Sequence, residues 1–470
     1  MMGTLAMAAR AARVTQAEWH GATFIHPAAI AVTALLALWL FLASRRTALL
    51  PLMALICFIP SAQRVVIFSA DFTLLRIMVL VGIARILTRG ELSSIRFNRI
   101  DWVYLAWVLV GSVVYVLQRQ EFSAVVYVSG TSMDMLGAYL VARALVQTMG
   151  DFRAFALIAA AIAIPVGAFF AFEMSTQRNL FAVFGGVREI TWVRDGRLRC
   201  QGAFSHPILA GVFWASIGAM TMGGALARTL KPLQRLLFVA GTCAAVVVIV
   251  ASASSTPVLG FVAGVGFWLW WPVRNWMRYV FIAAPFVTVA LHMAMEQPVW
   301  HLVGRMSAVG GSTGYHRFIL IDGAIRHLGE WWLVGTPWTG HWSSVFQTWD
   351  ITNQYIFEGV RGGIWRLGLF VVLIYLVARS IATAQGRVTD KSDRLLLWGL
   401  GASLFVHCVC FIGVSYFGQI QYLWYISLAI GASAYAPEFC GSASRQAAMS
   451  RPKRVQQFFE SPRDAELTGA

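Results

Sequence analysis

The chain has 470 residues, 58% of them hydrophobic and only 12% charged, with a formal net charge of +16. Soluble domains carry about 25% charged and about 45–50% apolar residues, so this composition excludes a large soluble enzyme, whose surface would be left greasy. It also excludes a nucleic-acid binder: the basic residues cluster in short linkers between apolar stretches, which is the positive-inside pattern of membrane proteins.

Apolar stretches recur along the chain near the length a membrane helix needs, about 20 residues, and predict an all-α polytopic membrane protein of about 12–14 transmembrane helices. Residues 1–26 are a mixed N-terminal tail, and 27–437 form the membrane domain. A first span, 27–43, ends at the basic turn Ser44-Arg45-Arg46, and a second ends at Pro60. The third, 65–87, carries Asp71 and Arg76; charges inside a span are expensive, so Arg76 is expected to pair with Asp71 or to face the bundle interior. Spans follow at 102–117, 125–146 (with Asp134 and Arg143) and 155–172. After a polar loop, 173–205, come 206–226, 236–251, 258–271 and 279–295. A large loop at 297–363 precedes the last spans, 364–377, 395–414 and 420–436, and a basic C-terminal tail at 438–470.

The short links after 226, 271 and 377 are basic and therefore cytoplasmic, which puts the loops 173–205 and 297–363 together on the extracytoplasmic side. Counting every span gives an odd total and sets the N-terminal tail outside despite its arginines, so one early span is expected to be re-entrant or not a true span. No internal repeat supports an inverted-repeat transporter. Of the six cysteines only Cys200 falls in an extracytoplasmic loop, so no disulfide is expected there.

The two long loops hold the residues suited to chemistry. Arg194, Arg197 and Arg199 accumulate just before a span and lead into His206, against the positive-inside bias. An anionic ligand explains them, because the planar guanidinium fork suits phosphate; lipid headgroups are the alternative. In the second loop Ser312 or Thr313 can cap a helix running to about His327. On it Asp322 and Arg326 are spaced for an i,i+4 pair, which leaves Arg317 free to meet a ligand. Arg305, Tyr315 and His316 are candidate substrate contacts. His316 and His327 share a face but lack an acidic partner, so no metal site is expected. Among the loop tryptophans Trp331, Trp332, Trp338, Trp342 and Trp349, Trp338 and Trp342 lie far from a span end, where they can stack on sugar rings as well as form an interfacial belt. Asp350, Asn353, Tyr355, Glu358 and Arg361 then follow in quick succession. Asp350, Glu358 or His341 can act as general base, and Arg361 can join the other arginines on an anion. No Walker loop, nucleophile elbow or HExxH motif is present.

These segments together resemble the bacterial O-antigen ligase and O-antigen polymerase (Wzy-like) membrane proteins. The resemblance is carried by GRLRCQGAFSHPILAG at 196–211, STGYHRFILIDGAI at 312–325, WLVGTP at 332–337 and TNQYIFEGVRGGIWRLGLF at 352–370. It implies a GT-C-like fold in the bacterial inner membrane and an inverting, metal- and cofactor-independent glycosyl transfer at the periplasmic face. The donor would be a glycan on undecaprenyl pyrophosphate, and a chain-length regulator protein is an implied partner. The family arginines that hold the pyrophosphate map by motif onto Arg199 and Arg317. The ligase branch commonly has a histidine just before the asparagine of its last loop motif; Thr352 stands there before Asn353, and the string looks more like exopolysaccharide polymerases.

Overall fold

Several helix starts are set by capping side chains. Thr73, Asn98, Thr148, His206 and Asp390 each accept a hydrogen bond from a backbone N–H of the helix that follows, which matters where no water is at hand to do it. The computed structural model describes residues 22–305, 313–342 and 351–441. The elements are α1 (Pro27–Leu42), α2 (Leu49–Phe58), β1 (Arg64–Ile67), β2 (Ala70–Thr73), α3 (Leu74–Thr88), α4 (Arg99–Arg119), α5 (Phe122–Leu145) and α6 (Met149–Thr176). Next come β3 (Val193–Arg194), β4 (Arg197–Leu198), α7 (Pro207–Leu226), α8 (Pro232–Ala251), α9 (Ser255–Leu269), α10 (Met277–Ala294), α11 (His301–Arg305), α12 (Thr313–Arg326) and α13 (Leu328–Trp331). The last four helices are α14 (Gln354–Val360), α15 (Gly363–Arg387), α16 (Lys391–Cys410) and α17 (Gln419–Ala434).

Seven of these, α4, α5, α6, α7, α8, α15 and α16, are long and apolar enough to cross a membrane, and shorter apolar helices include α1, α2 and α9. The strands form two two-stranded antiparallel hairpins, and no closed sheet occurs among the described residues. This is the architecture of a multi-pass helical membrane protein. One expected span is corrected: 65–87 begins not as helix but as the β1–β2 hairpin, with Val66 opposite Asp71. Phe68 and Ser69 turn it with positive φ of 48° and 70°, the backbone that a tight two-residue hairpin needs. Asp71 pairs with Arg64 at 2.6 Å rather than with Arg76, and Arg76 reaches Asp134 of α5 with two bonds of 3.0 and 2.6 Å.

The centre of the bundle is α7, 83% buried and packed by α6, α8, α9, α16 and α17. Small residues allow that density. A Cβ on Gly223 would stand 2.6 Å from the Leu395 carbonyl of α16, so backbones touch directly, the usual basis of helix association in lipid. The two ends of the bundle differ. At one, Arg45 binds Asp151 at 3.0 Å, Arg153 binds Asp393 and Arg96 binds Glu438 at 2.5 Å, among the basic linkers. At the other, Cys200 donates to Ala251 O, Gln354 to Phe411 O and Gln419 to Ala203 O, so residues of both long loops gather at the same end.

Several interior charges are paired. Asp101 of α4 is 6% exposed and accepts bonds from Tyr139 Oη (2.6 Å) and from Arg143 Nε and Nη2 (3.0 and 3.1 Å). Replacing Asp101 by Ala strands a buried guanidinium, a change that costs about 3–5 kcal/mol. The melting temperature in detergent should fall sharply for Asp101→Ala. It should recover in the apolar double variant Asp101→Leu/Arg143→Met, whereas a double variant as unstable as the single one would show that charge pairing is not what matters there.

Candidate functional site

Two guanidiniums at the loop end have no acidic partner among the described residues. Arg199 enters the interior because the chain before it is folded back as the β3–β4 hairpin, with Gly196 at its turn (φ +73°). The chain after it is pinned by Cys200 N–H to Ala251 O at 3.0 Å. Glu173, 1% exposed, shapes the same loop from the end of α6 by accepting Thr191 Oγ1 (2.8 Å) and the N–H groups of Gln201 (3.2 Å) and Gly202 (3.0 Å). Arg199 is then 6% exposed and donates through Nη2 to Ser254 Oγ at 2.9 Å, while its Nε is buried without a partner.

Arg317 lies on α12 and is also 6% exposed. Its guanidinium sits against the α16–α17 turn, where a Cβ on Gly413 would stand 3.6 Å from its Nε and 2.9 Å from Thr256 Oγ1. That hydroxyl is itself buried without a partner. Burial, and then the positive charge of Arg199, hold the Arg317 pKa down to about 10, and burial and Arg194 lower that of Arg199. His206 is pushed down to about 4 by burial and by Arg199 and Arg194, so it is neutral at pH 7, and its Nδ1 caps α7. The result is a buried concentration of positive charge with the Ser254 and Thr256 hydroxyls close by, a donor set whose chemistry suits an anion. Beside it a cleft of about 430 Å3 is lined by Met174, Gly196, Arg197, Leu198, Val250 and Val258.

The segment 351–366 has a different character. Asn353 caps α14 through Oδ1 to Ile356 N–H (3.1 Å) and donates to Ile412 O (3.2 Å). Gln354 accepts Tyr416 N–H at 2.7 Å, and Tyr355 Oη donates to Cys408 O at 3.0 Å. Glu358, expected as a general-base candidate, is instead an internal counter-ion. It is 1% exposed and accepts Arg366 Nε (2.6 Å), Trp107 Nε1 (2.9 Å) and Gln354 Nε2 (2.7 Å). Gly111 of α4 leaves the room in which the Arg366 guanidinium lies. Arg361 sits apart from the Arg199–Arg317 pair, over the rings of Phe357 (4.5 Å), Tyr115 (5.6 Å) and Tyr127 (6.0 Å). Helix α14 is thus a polar plug between α4, α15 and the α16–α17 turn. The WLVGTP stretch closes onto it: Thr336 N–H donates to Val360 O (2.9 Å) and Ile364 N–H to Trp332 O (2.7 Å). Gly335 and Gly363 take φ of +76° and +64° at that contact, where a side chain would meet backbone.

The other expected contacts are dispersed. The Asp322–Arg326 pair forms at 2.6 Å, and α12 ends one residue before His327. Arg197, Arg305, Tyr315 and Trp338 are exposed, and His316 is half-buried. Trp342 is 9% exposed in a small core with Ala324, Trp331, Ile351 and Val360, so it offers no open face for a sugar. Asp350, Ser312 and Trp349 lie outside the described residues. Ser254 and Thr256 were not singled out from sequence, though the polar break SASSTP between two apolar spans is their signal. No protein-family model matches the sequence, and no curated protein matches it.

The placement of Glu358 generates a test. Glu358→Ala should destabilise the detergent-purified protein by about 3–5 kcal/mol, because Arg366 is left buried and unpaired. Glu358→Ala/Arg366→Met should restore the melting temperature. A Glu358→Ala protein that melts like the wild type would contradict the bracing role.

Proposed function

We propose that the protein is a polysaccharide polymerase of the Wzy-like type, a glycosyltransferase that joins lipid-linked repeat units at the periplasmic face of the bacterial inner membrane. The donor in this reading is a growing glycan on undecaprenyl pyrophosphate. The acceptor is a hydroxyl of a second lipid-linked unit, which attacks the anomeric carbon with inversion as the lipid pyrophosphate departs. The observation that carries it is the pair Arg199 and Arg317, both buried, both lacking a described carboxylate, and close enough for Arg199 to lower the Arg317 pKa. Preorganised cations facing developing negative charge are a large catalytic contribution, and here they would neutralise the departing pyrophosphate without a metal ion. The basic linkers at the opposite end of the bundle support a periplasmic orientation for this end, and a many-helix fold is what a GT-C-like enzyme acting on a membrane-bound donor requires. A chain-length regulator would be a helix-packing partner in the same membrane.

Two measurements test the reading. The fold lowers the Arg317 pKa, so folding penalises its charged form; that penalty is fully present at neutral pH and is lost only as pH rises through about 10. Arg317→Met should therefore melt at or above the wild-type temperature. Inorganic pyrophosphate should raise the melting temperature of wild type and should leave that of Arg317→Met unchanged. Pyrophosphate stabilising both proteins equally would remove Arg317 from the anion site. In a deletion strain, Arg199→Ala and Arg317→Ala that accumulate normally in the membrane should fail to restore polymer, and single lipid-linked repeat units should pile up. Full-length lipid-linked polymer would indicate a ligase instead, and normal polymer from both variants would leave a flippase or permease as the better reading.

A further inference from the structure

The end of α12 carries a cluster that the anion site does not use. His327, Glu330 and His341 place one ligand atom each within 4.8 Å of one another, half-buried to exposed at the loop end. His341 Nε2 is already 3.0 Å from Glu330 Oε2. Tetrahedral zinc with bonds of about 2.0–2.1 Å sets its ligands about 3.3 Å apart, so small side-chain rotations suffice to close the set. The surroundings are those of a built site. His327 Nδ1 is 2.8 Å from Gly323 O, an acceptor only, so Nδ1 carries the proton and Nε2 keeps its lone pair for a metal. Glu330 Oε2 also accepts Trp342 Nε1–H at 2.9 Å, which fixes the carboxylate, and the His327 ring lies parallel to the Trp342 indole at 5.8 Å. In sequence the histidines stand fourteen positions apart, with the acid three after the first; only the fold of the WLVGTP turn brings His341 back to the other two.

We propose that His327, Glu330 and His341 bind a divalent transition cation of the zinc type, which fastens the C-terminal end of α12 to the turn carrying Trp342. Two neutral imidazoles and one carboxylate leave a tetrahedral ion with a net positive charge and a fourth position for water. The ion is structural: Arg317 lies on α12, ten residues before His327, which follows directly on that helix, about 15 Å at the helical rise. Its effect is to hold the helix that presents Arg317.

The test is zinc binding to untagged protein, stripped with chelator and desalted, followed by calorimetric titration and by metal content after gel filtration. Cobalt in place of zinc reports geometry through its visible absorption. Wild type should bind one zinc per chain, and His327→Ala, Glu330→Ala and His341→Ala should each weaken binding by about tenfold or more, with loss of the tetrahedral cobalt bands. All three positions are partly or fully exposed, so these variants should remain folded, and an unchanged melting temperature in chelator verifies it. Arg317→Met should bind zinc like wild type, so failure of the anion site and failure of the metal site are separable. Wild type that takes up no zinc, or three variants that take it up as tightly as wild type, would overturn the proposal.

Discussion

A charge placed inside an apolar bundle must be given a partner, and the architecture follows from how this chain meets that demand. Arg64–Asp71, Arg76–Asp134, Arg85–Glu91, Arg143–Asp101 and Arg366–Glu358 each join a buried or nearly buried guanidinium to a carboxylate. Three of them cross between helices: α3 to α5, α4 to α5, and α14 to α15. Because removing one partner of a buried ion pair leaves an uncompensated charge, each of these links is expensive to break. Against that background Arg199 and Arg317 stand out. They are as buried as the others, yet neither has a carboxylate partner among the described residues: Arg199 donates to the Ser254 hydroxyl, and Arg317 lies against Gly413. A cation held in this way is stored electrostatic potential, and it is the physical basis for reading the loop end as an anion site.

The loops reach their positions through the same economy. Glu173 spends its carboxylate on two backbone N–H groups and a threonine rather than on an arginine, and thereby shapes the turn that delivers Arg199. Helix α14 spends Asn353, Gln354, Tyr355 and Glu358 on neighbours in α15, α16, the α16–α17 turn and α4. The residues that make this segment look like reactive machinery in one dimension are what anchor it in three.

Much of the bundle was legible in the sequence because hydropathy is a local property. The spans at 102–117 and 155–172 fall inside α4 and α6, those at 125–146 and 206–226 lie within α5 and α7 but for one residue each, and the helix begun near Thr313 and its Asp322–Arg326 pair are present. The hairpin at 64–73 was hidden because Val65, Val66 and Ile67 read equally well as strand or span. The role of Glu358 was hidden for another reason: Trp107 is 251 residues away in sequence, and no spacing rule reaches that far. The same holds for His341, which meets Glu330 only after the chain has turned back. For the anion site, an excess of arginines on the loop side could be read directly, but not that Arg199 would be inward and Arg197 outward.

The contact between Thr336 and Val360 brings the two ends of the intervening chain together at one hydrogen bond. Loop-closure entropy rises by only about 0.6 kcal/mol for each doubling of length. The base of this loop is thus indifferent to how long or how varied its tip becomes. Residues inserted at the tip would therefore leave the helices beneath it in register.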